Sequence, residues 1–249
     1  MSEPLIRDAG TPESVWMPWL ASRSIHSVSL DALCPAPSRL VVLAPHPDDE
    51  ILACGGLLSM QVAAGGECMV VAISDGEASH GTHDLAVSRC LGERRVQESR
   101  KGLQVLGLRL PPVVRLGIPD GGVGAAVEII AAKLSLRLKP SDRLMVTWSH
   151  DGHPDHEAAA KAAMRAAQAV GCRLLQAPVW MWHWAQPDDT RVPWHRMVAV
   201  KLTGQARQAK QAALNCHESQ LEDRSTGQGP VLVPSIVARA ARPFEYFFA

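Results

Sequence analysis

Residues 40–44 (LVVLA) form an unbroken apolar run, the pattern of a short strand covered on both faces, as in a parallel sheet. Residues 68–73, 112–116 and 143–148 read as further short strands. Between them lie longer stretches with apolar and small residues at helical spacing: residues 49–64, 86–106, 123–138 and the Ala-rich 155–170. Gly107 closes the second of these and Pro140 stops the third. Further along, residues 174–184 read as extended, 197–202 as a strand and 203–215 as a helix. Strands alternating with helices predict βαβ units joined by right-handed crossovers. The expected fold class is α/β, a Rossmann-like three-layer arrangement in which helices flank a mostly parallel sheet. Residues 1–38, with Pro4, Pro12, Pro18, Pro35 and Pro37, stand outside the alternation and read as a leader segment. Residues 39–249 read as one domain.

Composition removes several classes of function. The 25 Lys and Arg balance the 25 Asp and Glu, so no overall positive field draws the chain to nucleic acid. A content of 47% hydrophobic and 20% charged residues suits a packed globule rather than a disordered chain. The six cysteines are scattered without a CxxC pair, which argues against a zinc ribbon or a disulfide scaffold and fits a reducing cytoplasm. No stretch reaches the ~18 consecutive apolar residues of a membrane span, and the amino-terminal region carries no apolar run of signal-peptide length. A cytoplasmic location without a transmembrane segment is expected. The oligomeric state is left open, a homo-oligomer included.

Open α/β sheets bind ligands outside the carboxyl ends of their strands. The loops after residues 44, 73, 116 and 148 are therefore where chemistry is expected, and polar residues gather there. After the first strand comes Pro45-His46-Pro47-Asp48-Asp49-Glu50, and after residue 148 comes Ser149-His150-Asp151-Gly152-His153-Pro154-Asp155-His156-Glu157. If the two strands are neighbours, the clusters converge. Imidazole and carboxylate are the ligands that suit Zn²⁺ when thiolates are absent, and a catalytic zinc keeps one position for water. His46 and Asp49 place two ligands across one tight turn. His153 and His156 share one face of a helix start, so that one can bind metal and the other face substrate. Each cluster alone has a plainer reading as helix-capping acids and exposed imidazoles. Both on one sheet edge favour a metal site.

These residues resemble the PIG-L/LmbE-like family of zinc-dependent de-N-acetylases, which act on N-acetylglucosamine conjugates. The resemblance runs from about residue 39 to residue 220 and is carried by Ala44-Pro45-His46-Pro47-Asp48-Asp49-Glu50 with Asp151-Gly152-His153-Pro154-Asp155-His156. Shorter matches follow in order at Ser74-Asp75-Gly76-Glu77, at Arg95 and Glu98, at Leu116-Gly117-Ile118-Pro119-Asp120-Gly121, and at His217 and Gln220. The resemblance implies that His46, Asp49 and His156 ligate Zn²⁺, with Fe²⁺, Mn²⁺ or Co²⁺ as alternatives. It implies that Asp48 is the general base, that His153 stabilises the tetrahedral intermediate or protonates the leaving amine, and that Asp155 orients His153. Arg95, Glu98 and Asp120 would meet the sugar or shape its pocket. The substrate class implied is a small N-acyl amino-sugar conjugate, cleaved to acetate and a free amine.

Other readings stay beside this one. An amidase or esterase acting on a different acylated small molecule, an antibiotic or a lipid precursor would use the same residues. A nucleotide-binding or non-catalytic Rossmann-like module fits less well, because the first strand is followed by His-Pro-Asp-Asp and not by a glycine-rich turn. Trp180, Trp182 and Trp184 alternate, which in a strand puts all three indoles on one face, as a sugar platform or a buried interface. His217 is expected either to reach the pocket or to lie exposed. Phe244, Tyr246, Phe247 and Phe248 form an apolar tail expected to dock on the body or a partner.

Overall fold

The computed structural model describes residues 6, 10–108, 113–224 and 227–249. Residue 112, the expected start of the third strand, lies outside these, as do Pro4 and most of residues 1–9. The chain opens with α1 (Glu13–Ser22), β1 (His26–Val28) and α2 (Leu30–Leu33), followed by the expected alternation: β2 (Leu40–Ala44), α3 (Asp49–Ala63), β3 (Cys68–Ala72), α4 (Leu85–Val105) and β4 (Val113–Arg115). A short 3₁₀ turn leads into α5 (Val127–Ser135), then β5 (Arg143–Thr147), α6 (Pro154–Val170), β6 (Arg173–Ala177) and α7 (Met181–Trp184). The chain ends with β7 (Met197–Lys201), α8 (Gly204–Leu214), α9 (Glu218–Leu221), α10 (Pro234–Arg239) and β8 (Phe244–Phe248).

The strands form one sheet in the order β1-β7-β8-β6-β5-β2-β3-β4. All pairings are parallel except those of β8, which runs antiparallel between β7 and β6. β2 lies between β3 and β5, with Val42 opposite Val70 on one side and Met145 on the other. Its five residues are all buried, which explains the unbroken apolar run. Alternate residues serve opposite faces. Leu40, Val42 and Ala44 pack with Ile51 and Leu57 of α3 and Leu103 of α4. Val41 and Leu43 pack with Ile130 and Leu134 of α5 and the buried alanines of α6. Small side chains on α6 let that helix lie close to the sheet. The result is the expected α/β three-layer fold.

Three local readings differ from the structure. Residues 123–138 are not one helix: the segment enters through 3₁₀ geometry at Val123–Ala126 and leaves α-helix after Ser135. Residues 1–38 contribute a strand to the sheet, β1 beside β7, and Trp16 of α1 is fully buried with its Nε1–H donated to Trp182 O at 2.8 Å. Residues 174–184 are extended only to Ala177, and the chain then turns into α7. The cause is Asp151, whose carboxylate accepts the backbone N–H groups of Val179, Trp180 and Met181, each at 2.9 Å. The three indoles therefore do not share a strand face. Trp182 is buried in a cluster with Trp16, Trp148 and Phe248, and the Nε1–H of Trp184 is donated to Asp151 O.

Candidate active site

Parallel pairing of β2 with β5 brings the loops after both strands to one edge, at the starts of α3 and α6. At the turn into α3, Asp48 adopts φ 121° and ψ −28°, a conformation that a non-glycine residue rarely holds. His46, Asp49 and His156 converge, all buried, each offering one ligand atom within 4.8 Å of the others. Asp49 Oδ2 lies 3.2 Å from His46 Nδ1 and 3.2 Å from His156 Nε2. The imidazole centroids of His46 and His156 are 5.5 Å apart, and that of His153 is 5.0 Å from the first and 4.8 Å from the second.

The three residues fit a metal ion on their own geometry. His156 donates Nδ1–H to Asp151 Oδ2 at 2.7 Å, which leaves a lone pair on Nε2. That Nε2 is buried and has no hydrogen-bond partner among the described residues. A buried ring nitrogen 3.2 Å from the Asp49 carboxylate calls for a cation between them, a proton in the metal-free protein or a metal ion in its place. Two ligands held at zinc distances in a tetrahedral site lie about 3.3 Å apart, close to the separations observed. A second group, His46 with Asp120 and Asp155, is equally compact. There Asp120 Oδ1 and Asp155 Oδ2 lie 3.2 and 3.4 Å from His46 Nε2, while the same two carboxylates accept N–H from Ala78 and Gly121. This suits acceptance of Nε2–H from a histidine whose Nδ1 faces a cation, the carboxylate–imidazole–metal arrangement.

Burial and charge set the protonation states. Burial alone would lower the pKa of His156, but Asp49 and Asp151 raise it to about 9. Burial likewise opposes the charge on His46, and Asp120, Asp155 and Asp49 lift its pKa well above the ordinary value. Asp49, though buried, is held well below the usual carboxylate range by His156 and His46. Its neighbour Asp48 is pushed the other way, to about 7, because burial outweighs the nearby Arg95 guanidinium. His153 is lowered to about 4 by burial and by the charges of His156 and His46. Its Nδ1 accepts the N–H of Asp155 at 3.2 Å, so the neutral ring carries its proton on Nε2.

The cavity over these groups has about 1080 Å³ of free space, its open mouth included. His46, Asp48, Asp49, His153 and Asp155 line it, with Leu52, Trp180, Val231 and Leu232 as apolar wall. Arg95 lines it too, but its guanidinium is engaged by Pro47 O at 2.7 Å, Gly76 O at 2.8 Å and Asp48 Oδ2 at 3.1 Å. Gly76 has φ +69°, the left-handed region that favours glycine, and a Cβ there would displace the Arg95 guanidinium, 2.0 Å away at Nη1. Asp120 lines the cavity beside His46.

Several expected roles move. Glu98 does not line the cavity; its carboxylate accepts from Ser219 N and Oγ at 2.8 and 2.6 Å and pairs with Arg94, which ties α4 to α9. The carboxylate of Asp155 faces His46 and the Gly121 N–H rather than His153, which it meets through its backbone. His217 is neither exposed nor part of the lining: it is fully buried, with its pKa lowered to about 3 by burial and Arg95. Asp151 carried no role in the sequence reading, yet it is fully buried and holds both His156 and the backbone before α7. The signal for it was an acid five residues before a candidate ligand, in the same loop. Leu52, Val231 and Leu232 gave no signal, because apolar residues in a pocket wall look like core.

The chain is similar to proteins named as deacetylases. The profile of the family described as PIG-L, GlcNAc-PI de-N-acetylase, matches residues 41–167. The 1D-myo-inositol 2-acetamido-2-deoxy-alpha-D-glucopyranoside deacetylase of Mycobacterium sp. (strain KMS) is 26% identical over 251 residues, covering 80% of this chain and 79% of that protein. The diacetylchitobiose deacetylase of Thermococcus kodakarensis is 26% identical over 136 residues, 53% of this chain and 50% of that one. Among solved structures, the conserved protein TT1542 of Thermus thermophilus superposes with a TM-score of 0.60 at 26% identity, over 84% of this chain and 93% of that one.

Proposed function

The chain belongs to the PIG-L (GlcNAc-PI de-N-acetylase) family, and on that premise we propose that it is a metal-dependent hydrolase that removes the N-acetyl group of a small amino-sugar conjugate. The observation that carries this reading is the buried His46–Asp49–His156 group with Asp48 and His153 on the same cavity. His46 Nδ1, Asp49 Oδ2 and His156 Nε2 would hold the ion, and two imidazoles with one carboxylate suit Zn²⁺, with Fe²⁺, Mn²⁺ or Co²⁺ compatible with the same donors. A divalent cation bound there supplies Lewis acidity, lowering the pKa of water and polarising a carbonyl.

The remaining chemistry belongs to the chain. Asp48, with a pKa of about 7, takes a proton from the attacking water near neutral pH. Arg95 fixes its carboxylate through the 3.1 Å contact to Oδ2. As the C–N bond breaks, Asp48 passes that proton to the leaving nitrogen, giving acetate and a free amine. His153 donates Nε2–H to the acetamide oxygen, where negative charge develops, and does so as a neutral ring. Asp155 and Asp120 accept from His46, and Asp151 accepts from His156, so both imidazoles keep one tautomer. Sugar hydroxyls would meet the polar floor and the aglycone the wall of Leu52, Trp180, Val231 and Leu232. Among the described residues no helix is long and apolar enough to cross a membrane. With six free thiols we place the chain in the cytoplasm.

The test is release of acetate and primary amine from a panel of N-acetylglucosamine conjugates with varied aglycones, using zinc-loaded protein. Turnover of at least one conjugate, abolished by a chelator and restored by metal, is expected. Protein that holds one metal per chain and releases no acid from any member would overturn the assignment.

A further inference from the structure

Helix α3 is broken in its first half. Cys54 holds φ −152° and ψ 28°, outside the helical range, so Asp49–Ala63 is two helical segments rather than one. Such a break frees backbone groups on both sides of it, and in the interior each needs a partner. A buried ion pair supplies them. Glu245 of β8 accepts the N–H of Gly56 at 2.7 Å and that of Leu57 at 2.8 Å, a carboxylate at the start of the second segment. Lys210 of α8 donates Nζ–H to Leu52 O at 3.0 Å, an ammonium at the end of the first segment. The two side chains, both buried, meet at 2.7 Å between Nζ and Oε1. The nearby Arg239 and Arg242 lie against Glu13, which leaves Lys210 and Glu245 to each other and to the break.

The glycines after the break belong to the same arrangement. A Cβ on Gly56 would come within 3.1 Å of Glu245 Oε1 and 2.5 Å of Leu202 Cδ1, and one on Gly55 within 3.3 Å of Lys210 Cγ. The ion pair therefore reaches the backbone because no side chain stands in its way. What it holds is the first segment. That segment starts at the strained Asp48, carries Asp49 between His46 and His156, and puts Leu52 on the wall of the catalytic cavity. Three residues, about 4.5 Å of helix rise, separate Asp49 from the carbonyl that Lys210 holds.

We propose that Lys210 and Glu245 are positioning residues for the metal centre: by fixing the break in α3 they set the direction of its first turn, and with it the place of Asp49 between His46 and His156. The proposal rests on the metal-dependent reading above. Neither side chain lines the catalytic cavity, so their effect passes through the backbone of α3.

The test compares Glu245→Gln, the double variant Lys210→Met/Glu245→Gln and a control, Ile130→Ala, in which a buried residue of α5 is cut back on the opposite face of the sheet. Urea denaturation follows folding, chelator competition gives zinc affinity, and the visible absorption of Co²⁺-loaded protein reports ligand geometry. The double variant removes both charges at similar volume, so it should regain much of the stability that Glu245→Gln loses. Zinc affinity should nevertheless fall about tenfold or more in both, with a weaker Co²⁺ band, because neither returns a carboxylate to the N–H groups of Gly56 and Leu57. Ile130→Ala should lose stability and keep both metal signals. The proposal is overturned if either variant of the pair, once folded, binds zinc and absorbs with Co²⁺ as the unaltered protein does. It is equally overturned if Ile130→Ala loses metal to the same degree, since the effect would then be one of stability alone. These signals need no substrate and stand apart from acetate release. Unaltered protein that takes up no zinc would remove the metal reading itself, and this proposal with it.

Discussion

The cluster at the carboxyl ends of β2 and β5 and the cluster around Lys210 and Glu245 are both buried and both charged, yet they lack opposite things. In the first, acceptors are in surplus: among the described residues His156 Nε2 has no donor, and Asp48, Asp49, Asp120 and Asp155 crowd around two imidazoles. In the second, the carboxylates of Glu13 and Glu245 are taken and N–H donors remain, on Arg239. Unpaired polar groups in an interior are expensive in either case. The sign of the unpaired group differs: a ring nitrogen facing a carboxylate in the first, guanidinium N–H groups in the second. Adjacent residues show the same logic in miniature: Asp49, between two imidazoles, is driven well below the usual carboxylate range, while Asp48, whose burial Arg95 and His46 offset only in part, rises to about 7.

The strongest test of this contrast is Asp48→Asn, which should cut turnover about 10²–10⁴-fold while the metal-to-protein ratio by atomic absorption stays unchanged. Loss of metal in that variant would move Asp48 into the ligand set and remove the distinction between the two acids. In the other cluster, Glu245→Gln leaves Lys210 charged and uncompensated. Urea denaturation should show a loss of about 3–5 kcal/mol, and a change under about 1 kcal/mol would mean that the pair is not isolated from water. Asp151→Asn should weaken zinc affinity about 10–100-fold by chelator competition, because the imidazole of His156 loses the carboxylate that orients it. Unchanged affinity would show that Asp151 serves only the turn into α7.

A smaller, graded effect is expected with pH. His156 in the metal-free protein has a pKa raised to about 9, above the ordinary 6.5. Its protonated pairing with Asp49 and Asp151 therefore stabilises the metal-free fold fully below about pH 6.5, and that stabilisation is lost as pH rises through about 9. Metal must displace this proton, so zinc affinity should rise about tenfold per pH unit for each proton displaced between about pH 6.5 and 8.5. Affinity that is flat over this range would contradict the coupling of Asp49 to His156.

Much of this organisation was readable before folding was considered. The runs at residues 40–44, 68–73 and 143–148 are strands within a residue of the expected limits, because a strand covered on both faces is mostly apolar. His46, Asp49 and His156 were legible because ligand chemistry restricts residue type and the strand ends restrict place. Glu98 misled because a carboxylate in a helix looks the same whether it meets a sugar or Ser219. The Trp180–Trp184 alternation misled because the chain there turns on hydrogen bonds to a carboxylate some thirty positions away.

Local pattern was thus enough for the fold class and for the two loops from which His46, Asp49 and His156 come together, since each depends on periodicity or on residue type at a strand end. Folding alone assigned Asp151 to His156, turned the carboxylate of Asp155 toward His46, set β8 between β7 and β6, and buried Arg239 beside Glu13. Those outcomes depend on which distant groups share a buried volume, and hydrogen-bond partners and pKa values are set by that company rather than by neighbours along the chain.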